Sequence, residues 1–307
     1  MDRDSQNRVA VVIPCYNAEA TLPRTIDSVL AQPGLTAEVI VVDDGSSDGS
    51  VAAAQAFGDR ITVLTGQNGG ACLARNRGMR VSSAEFVLFL DADDEIAGDH
   101  LAAGAGIAEA TGADIVFTAM IQRNATRILE VRDSLAEHLD CEYLFANWLL
   151  GIQVNPSAIL WRRSFVERIG GWDERVKLQQ DGDLVMRAFL NRARLAHNPR
   201  GYGIYYVQNN DSLSWSKSEA KERNYVETLA RLVAMTEGTP FAAHRQSLEH
   251  ALYRTARMAF ARGWQETGQA ALDVLARMGP IRHRGTLRHR ALASVLGLER
   301  KVRLWGA

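Results

Sequence analysis

Val9-Ala-Val-Val-Ile-Pro-Cys-Tyr-Asn17 decides the architecture. Its first five residues are apolar without interruption, where a strand with one wet face would alternate. Continuous runs belong to strands covered on both faces, as in parallel sheets. Glu38-Val-Ile-Val-Val42, Ile61-Thr-Val-Leu64 and Phe86-Val-Leu-Phe-Leu90 repeat the pattern. Between them, residues 21–32 place Leu22, Ile26, Val29 and Leu30 on one helical face, with Pro23 tolerated in the first turn. Residues 48–57 and 71–81 are helical in character and rich in alanine. This alternation predicts an α/β fold with a mostly parallel, doubly wound, Rossmann-like sheet and right-handed crossovers. Ligands then bind beyond the carboxyl ends of the strands.

After about residue 119 the expected elements are a helix at 134–150, a strand at 157–161, a helix at 163–169, a Gly170-Gly171 turn, a helix at 181–192 and a strand at 203–208. From 216 onward the chain reads as nearly all helix. The expected division is a domain over 1–215, in halves 1–118 and 119–215, followed by a helical C-terminal extension over 216–307. Leu229, Leu232, Leu252, Met258 and Leu275 suit either core packing or an oligomer contact.

The 307 residues carry a formal net charge of −1, which predicts no general attraction to nucleic acid. Cys15, Cys72 and Cys141 are sparse and unpaired in sequence, which argues against a zinc site or a disulfide framework. With no secretory apolar segment near Met1, this points to a reducing, cytoplasmic setting. No window reaches the roughly 18 apolar residues of a membrane span.

Polar residues gather where each early strand ends. The clusters are Pro14-Cys-Tyr-Asn17, Asp43-Asp-Gly-Ser-Ser-Asp48, Asn68-Gly-Gly70 and Asp91-Ala-Asp-Asp94. In a doubly wound sheet all four fall on one rim. Asp91-Ala92-Asp93 can present one carboxylate to a hard divalent cation, Mg²⁺ or Mn²⁺, and the other to a ligand. A solvated turn or helix cap is the competing reading. Asp43 should face the crevice, able to accept a base N–H or a ribose hydroxyl, whereas Asp44 and Asp48 suit turn and cap roles. Tyr16, backed by Pro14, offers either a stacking face or core packing. Arg75, one turn into its helix, can reach a base or phosphate or form a structural ion pair.

Together, Ile13-Pro-Cys-Tyr-Asn17, Val42-Asp-Asp-Gly-Ser-Ser-Asp48, Asn68-Gly-Gly70, Ala74-Arg-Asn-Arg-Gly78 and Asp91-Ala-Asp93 resemble glycosyltransferase family 2 with the GT-A fold. Gly170-Gly-Trp-Asp173 and Gln180-Asp-Gly-Asp183 extend the resemblance over roughly residues 8–215. It implies an inverting, metal-dependent transfer from a nucleotide-sugar donor, usually a UDP-sugar, to a saccharide or glycolipid acceptor. Surface-polysaccharide or glycoconjugate synthesis would be the setting. Carried over by position, Pro14, Tyr16, Asp43, Asn68 and Arg75 would bind the nucleotide. Asp91 would touch the ribose, within Asp91-Ala92-Asp93, and Asp93 would hold the metal. Asp181 would be the catalytic base.

Two departures stand out. Gln180 replaces the glutamate that usually precedes that aspartate. Tyr206-Val-Gln-Asn-Asn-Asp-Ser-Leu-Ser214 lacks the arginine and histidine often found there, which leaves Ser212, Ser214, backbone N–H groups or Lys217 for phosphate contacts.

The first-turn position of Asp181 favours its ionised form through the helix dipole. Asp183 competes with it for the role of base. Trp172 and Trp215 suit packing or an acceptor-sugar platform. Residues 280–307 carry seven basic residues against Glu299, a net +6 interleaved with leucines. This suits either a helix at the inner membrane face or a solvated face packed on the protein. Rival functions are a non-catalytic scaffold subunit and a sugar nucleotidyltransferase. The latter would want a Gly-rich, basic loop after the first strand. Pro14-Cys-Tyr-Asn-Ala18 is unlike one, and no Gly-x-Gly-x-x-Gly motif marks a dinucleotide oxidoreductase.

Overall fold

A computed structural model describes residues 8–124, 126–133, 138–149, 154–177, 179–207 and 218–279. The readings of Ser212, Ser214, Trp215, Lys217 and the basic stretch 280–307 lie outside the described residues.

The first half of the chain alternates as expected: β1 Val9–Cys15, α1 Leu22–Leu30, β2 Glu38–Asp43, α2 Ser50–Gln55, β3 Thr62–Thr65, α3 Ala71–Val81 and β4 Phe86–Phe89. These four strands lie in the order β3-β2-β1-β4 and pair in parallel, so their carboxyl ends form one rim. Val9, Ala10, Val11, Val12 and Ile13 are all 0% exposed, because helices cover both faces. α3 packs very close to the sheet. A Cβ at Gly78 would stand 2.4 Å from Val12 Cγ1, so glycine is needed there for space.

The second half is built differently. β5 Glu95–Gly98, α4 Leu101–Thr111, β6 Ile115–Arg123, β7 Ile128–Arg132, α5 Cys141–Leu149, β8 Ile159–Arg162, α6 Arg163–Arg168, α7 Gln180–Leu190 and β9 Leu195–Tyr206 follow. The sheet continues β4-β8-β6-β9-β5, with β7 on β6. Among the described residues only β6–β9 is parallel in this half. β4–β8, β6–β8, β6–β7 and β5–β9 are antiparallel. Pairings therefore divide evenly between parallel and antiparallel, and the doubly wound parallel part is β1 to β4.

β9 begins eight residues before the expected strand. Asn198-Pro-Arg-Gly201 breaks the apolar pattern there, and the β6–β9 register shifts beside it, between Thr118 and Ala119. The helix expected at 134–150 is described only over Cys141–Leu149, and residues 138–140 are not helical.

The chain divides into two compact units, Met1–Leu144 with Gln153–Asn209, and Phe145–Ile152 with Asn210–Ala307. In the second, α8 Glu219–Thr236, α9 Arg245–Ala261 and α10 Gln265–Arg277 bury Leu229, Leu232, Leu248, Leu252, Leu272 and Leu275. Phe145 meets Phe241 edge-on at 5.3 Å. Among the described residues no helix is long and apolar enough to cross a membrane.

Candidate active site

The rim is laced together before any ligand is considered. Asn17, at a φ of 49°, donates its N–H to Ser46 Oγ at 2.9 Å and accepts the Ser47 N–H at 2.8 Å. Beside it Pro14 is partly buried and Tyr16 is 55% exposed, so Tyr16 is not a core residue.

Asp43 requires a correction. It is 4% exposed, and its Oδ2 accepts the N–H groups of Gly45 at 3.1 Å and Ser46 at 3.2 Å. Gly45 takes a φ of +83°, which folds those donors back onto the carboxylate. The side chain closes its own turn instead of standing open in the crevice.

Asp44 does the bridging. Its two oxygens accept Gly69 N–H and Gly70 N–H, each at 2.8 Å, and so set the loop that carries exposed Asn68 into α3. Asp48 accepts Ser50 N–H at 3.0 Å just ahead of α2, whose N-cap is Gly49 and not Asp48, and the Ser50 hydroxyl holds its carboxyl below the usual range.

Arg75 is the centre of the arrangement. Its Nη2 donates to Asp91 Oδ1 at 2.5 Å and its Nη1 to Gln180 Oε1 at 2.9 Å. Its guanidinium lies 4.3 Å from the centroid of Trp172. The ion-pair and site readings of Arg75 therefore meet, because its partner is a carboxylate of the Asp-x-Asp motif. Trp172 is 3% exposed and edge-on to Phe89 at 5.1 Å, which makes it a packing residue and a floor for Arg75.

The motif itself is tied down from α1. Thr25 Oγ1 donates to Ala92 O at 3.0 Å, and Arg24 Nη2 donates to Asp93 O at 2.6 Å. Burial, and then the charge of Asp91, pushes the Asp93 carboxyl up to about 6. Asp94 is 1% exposed and accepts Tyr206 N–H at 3.2 Å, joining the motif to the end of β9.

On the opposite side, Gln179 at a φ of 55° opens α7. Asp181 follows in the first turn, partly buried. Burial raises its pKa, the Asp91 charge adds to this, and Arg75 opposes it. Desolvation and a like charge thus oppose the preference for the ionised form that a first-turn position brings. Asp183 is 7% exposed and pairs with Arg187 Nε at 2.9 Å.

The fold therefore brings Arg75, Asp91, Gln180 and Asp181 together from three separate elements. Sequence reasoning missed the anchoring by Arg24 and Asp94, and no local pattern announces either contact.

The family model described as glycosyl transferase family 2 matches residues 10–170. The succinoglycan biosynthesis protein ExoO of Rhizobium meliloti (strain 1021) is 29% identical over 211 residues, covering 65% of this chain and 61% of that protein. Of four such curated relatives the chain spans 28%, 14%, 60% and 61% of the length. Among solved structures, S. aureus TarS 1–349 in complex with UDP-GlcNAc superposes with a TM-score of 0.74 at 21% identity, covering 97% of this chain and 90% of that one. The mannosyltransferase PcManGT from Pyrobaculum calidifontis, in complex with GDP-Man and Mn²⁺, has a TM-score of 0.59 at 19% identity, covering 98% and 86%. These two structural likenesses speak for the GT-A fold.

Proposed function

The chain belongs to glycosyl transferase family 2, and from that premise we propose that it moves a sugar from a nucleotide-diphosphate donor, a UDP-sugar, to the hydroxyl of a saccharide or glycolipid acceptor, with inversion. The observation that carries this reading is the convergence of Arg75, Asp91, Gln180 and Asp181 at the rim of β1 to β4. Residues 1–215 would be the catalytic domain, with the nucleotide in the half 1–118 and the acceptor in 119–215.

Exposed Tyr16 would stack on the base, while Pro14, Asn68 and Arg75 would line the nucleotide, beside the turn that Asp43 closes. Asp91, released in part from Arg75, would take a ribose hydroxyl. The acceptor hydroxyl is a poor nucleophile at neutral pH. Asp181 would take its proton as the oxygen bonds to the anomeric carbon. The bond from that carbon to the β-phosphate oxygen breaks, and its electron pair leaves with the nucleoside diphosphate. Asp183 is the weaker candidate for base, because its carboxylate is already held by Arg187.

Among the described residues no three His, Cys, Asp or Glu side chains gather to hold a metal ion. A fully protein-ligated cation therefore does not fit among the described residues. A cation shared with substrate phosphates does, because Asp93 and Asp91 crowd like charge at one point and offer hard oxygens. Asp93 would hold Mn²⁺ or Mg²⁺, which would supply positive charge to the leaving diphosphate.

The test is a thermal-shift panel of UDP, UDP-sugars and GDP-mannose, with Mn²⁺ or with EDTA, on wild type and Asp93→Asn. A ligand at 100 times its dissociation constant adds about 2.7 kcal/mol. Stabilisation by UDP should need Mn²⁺ in wild type and be lost in Asp93→Asn. Equal UDP affinity under all four conditions would sink the metal reading. Release of UDP from a stabilising UDP-sugar would separate an enzyme from a binding subunit.

A further inference from the structure

Residues 171–177 and 179–180 run along α3. Asn76 accepts Trp172 N–H at 3.0 Å through Oδ1 and donates to Trp172 O at 2.9 Å through Nδ2. Cys72 Sγ lies 3.7 Å from Val176 O. At the end of this seam the Gln180 side chain uses both halves of its amide. Its Oε1 accepts from Arg75 Nη1 at 2.9 Å, and its Nε2 donates to Val176 O at 3.2 Å and Lys177 O at 3.3 Å.

Only one orientation of the amide satisfies these contacts. Flipped, it would face N–H against guanidinium and oxygen against two carbonyls. A carboxylate at this position can accept from Arg75 but has nothing to donate to Val176 and Lys177. It would also bring a further negative charge beside Asp91 and Asp181, the two acids that already share Arg75. Gln180 is followed directly by Asp181, so whatever holds Gln180 also sets the first turn from which Asp181 projects.

We propose that Gln180 is a positioning residue. Its neutral amide clamps the start of α7 between Arg75 and the 176–177 carbonyls, and thereby fixes Asp181 relative to the donor. This rests on Asp181 being the base. In the reaction the attacking oxygen bonds to the anomeric carbon, the leaving phosphate oxygen takes the bonding pair, and the proton passes to Asp181. Gln180 touches none of these atoms and acts only through placement. The glutamine that departs from the resembled pattern is thus required by its own surroundings, and glutamate at this site is the disruptive residue.

The experiment compares full-length wild type, Gln180→Glu, Gln180→Met and Asp181→Asn. It reads UDP binding in the presence of Mn²⁺, melting temperature, and kcat and KM for UDP release from the UDP-sugar found in the panel. Misplacing a catalytic group by about 1 Å costs roughly 100-fold. Gln180→Glu should lower kcat by roughly 10- to 100-fold while the donor KM stays within about threefold of wild type. Gln180→Met, uncharged and of similar length, should show the same split, and it decides the matter where the glutamate variant does not fold. Wild-type kcat in the folded variant overturns the proposal, as does a loss confined to KM. If Gln180→Glu is as fast as wild type while Asp181→Asn is inactive, positioning by Gln180 fails and the base reading survives. If Asp181→Asn turns over normally, the base reading fails and takes this proposal with it.

Discussion

Two arginines serve α7, buried Arg75 from α3 and partly buried Arg187 in the last turn of α7 itself, and their surroundings differ. Arg187 is closed. Its Nε pairs with Asp183 at 2.9 Å, Nη1 donates to Ile169 O at 2.7 Å, and Nη2 donates to Gly171 O at 2.7 Å. Every nitrogen has a partner, and two of the three partners are backbone. Arg75 is open. Nη2 holds Asp91 and Nη1 holds Gln180, but buried Nε has no partner among the described residues, and one face rests on Trp172. A closed network stabilises a turn and gains nothing by rearranging. An open one, shared between side chains from three elements, can exchange a partner for a ligand. The difference divides the two acids of α7, with Asp183 on the closed side and Asp181 on the open side.

The largest effect expected from this contrast is on rate. Asp181→Asn keeps shape and a capping oxygen but cannot accept a proton, and should lose about 10² to 10⁴ in turnover. UDP binding with Mn²⁺ should be retained, as calorimetry can check. Turnover close to wild type with a verified acceptor would erase the distinction and make Asp183 the next candidate.

Next comes stability. Arg187→Met breaks the ion pair that Arg187 makes with the buried Asp183 carboxylate, and removing one member of such a pair typically costs about 3–5 kcal/mol. Melting temperature should fall by roughly 6–12 °C or more while the affinity of the folded protein for UDP is unchanged. Weakened UDP affinity without a loss of stability would mean the Arg187 side is not merely structural.

The smallest effect concerns Asp93. Its folded-state carboxyl sits at about 6, above the unfolded value near 3.9, so within that window the folded chain holds the extra proton. The stability this confers is fully present below about pH 4 and is lost as pH rises through 6. Asp93→Asn removes the cost of ionising a partly buried acid. Discounted for partial exposure, this should stabilise the ligand-free protein by about 1 kcal/mol, roughly 2–4 °C, above pH 6. The gain should shrink as pH falls toward 4. A melting difference that does not vary with pH would show that burial of Asp93 is not what the substitution relieves.

Much of the site was legible because its chemistry is local. An apolar run followed at once by Asp91-Ala-Asp93 places carboxylates at a strand end whatever the rest of the chain does, and residues 71–81 form α3 with the boundaries expected. Orientation within a turn was not legible. Asp43 and Asp44 are adjacent in sequence, yet one closes its own turn and the other reaches to Gly69 and Gly70.

By itself the sequence determined β1 to β4, their helices and the rim of polar residues, since buried parallel strands and their crossovers are written in contiguous apolar periods. Tertiary structure alone decided that β9 starts at Leu195, that β8 and β5 run antiparallel to their neighbours, and that Arg75, Asp91 and Gln180 share one cluster. Those outcomes depend on pairings between residues 16 to 112 positions apart, such as Arg75 with Asp91 and Asp94 with Tyr206. They are chosen by packing and by the cost of leaving a buried polar group unpaired, and neither leaves a periodic mark on the chain.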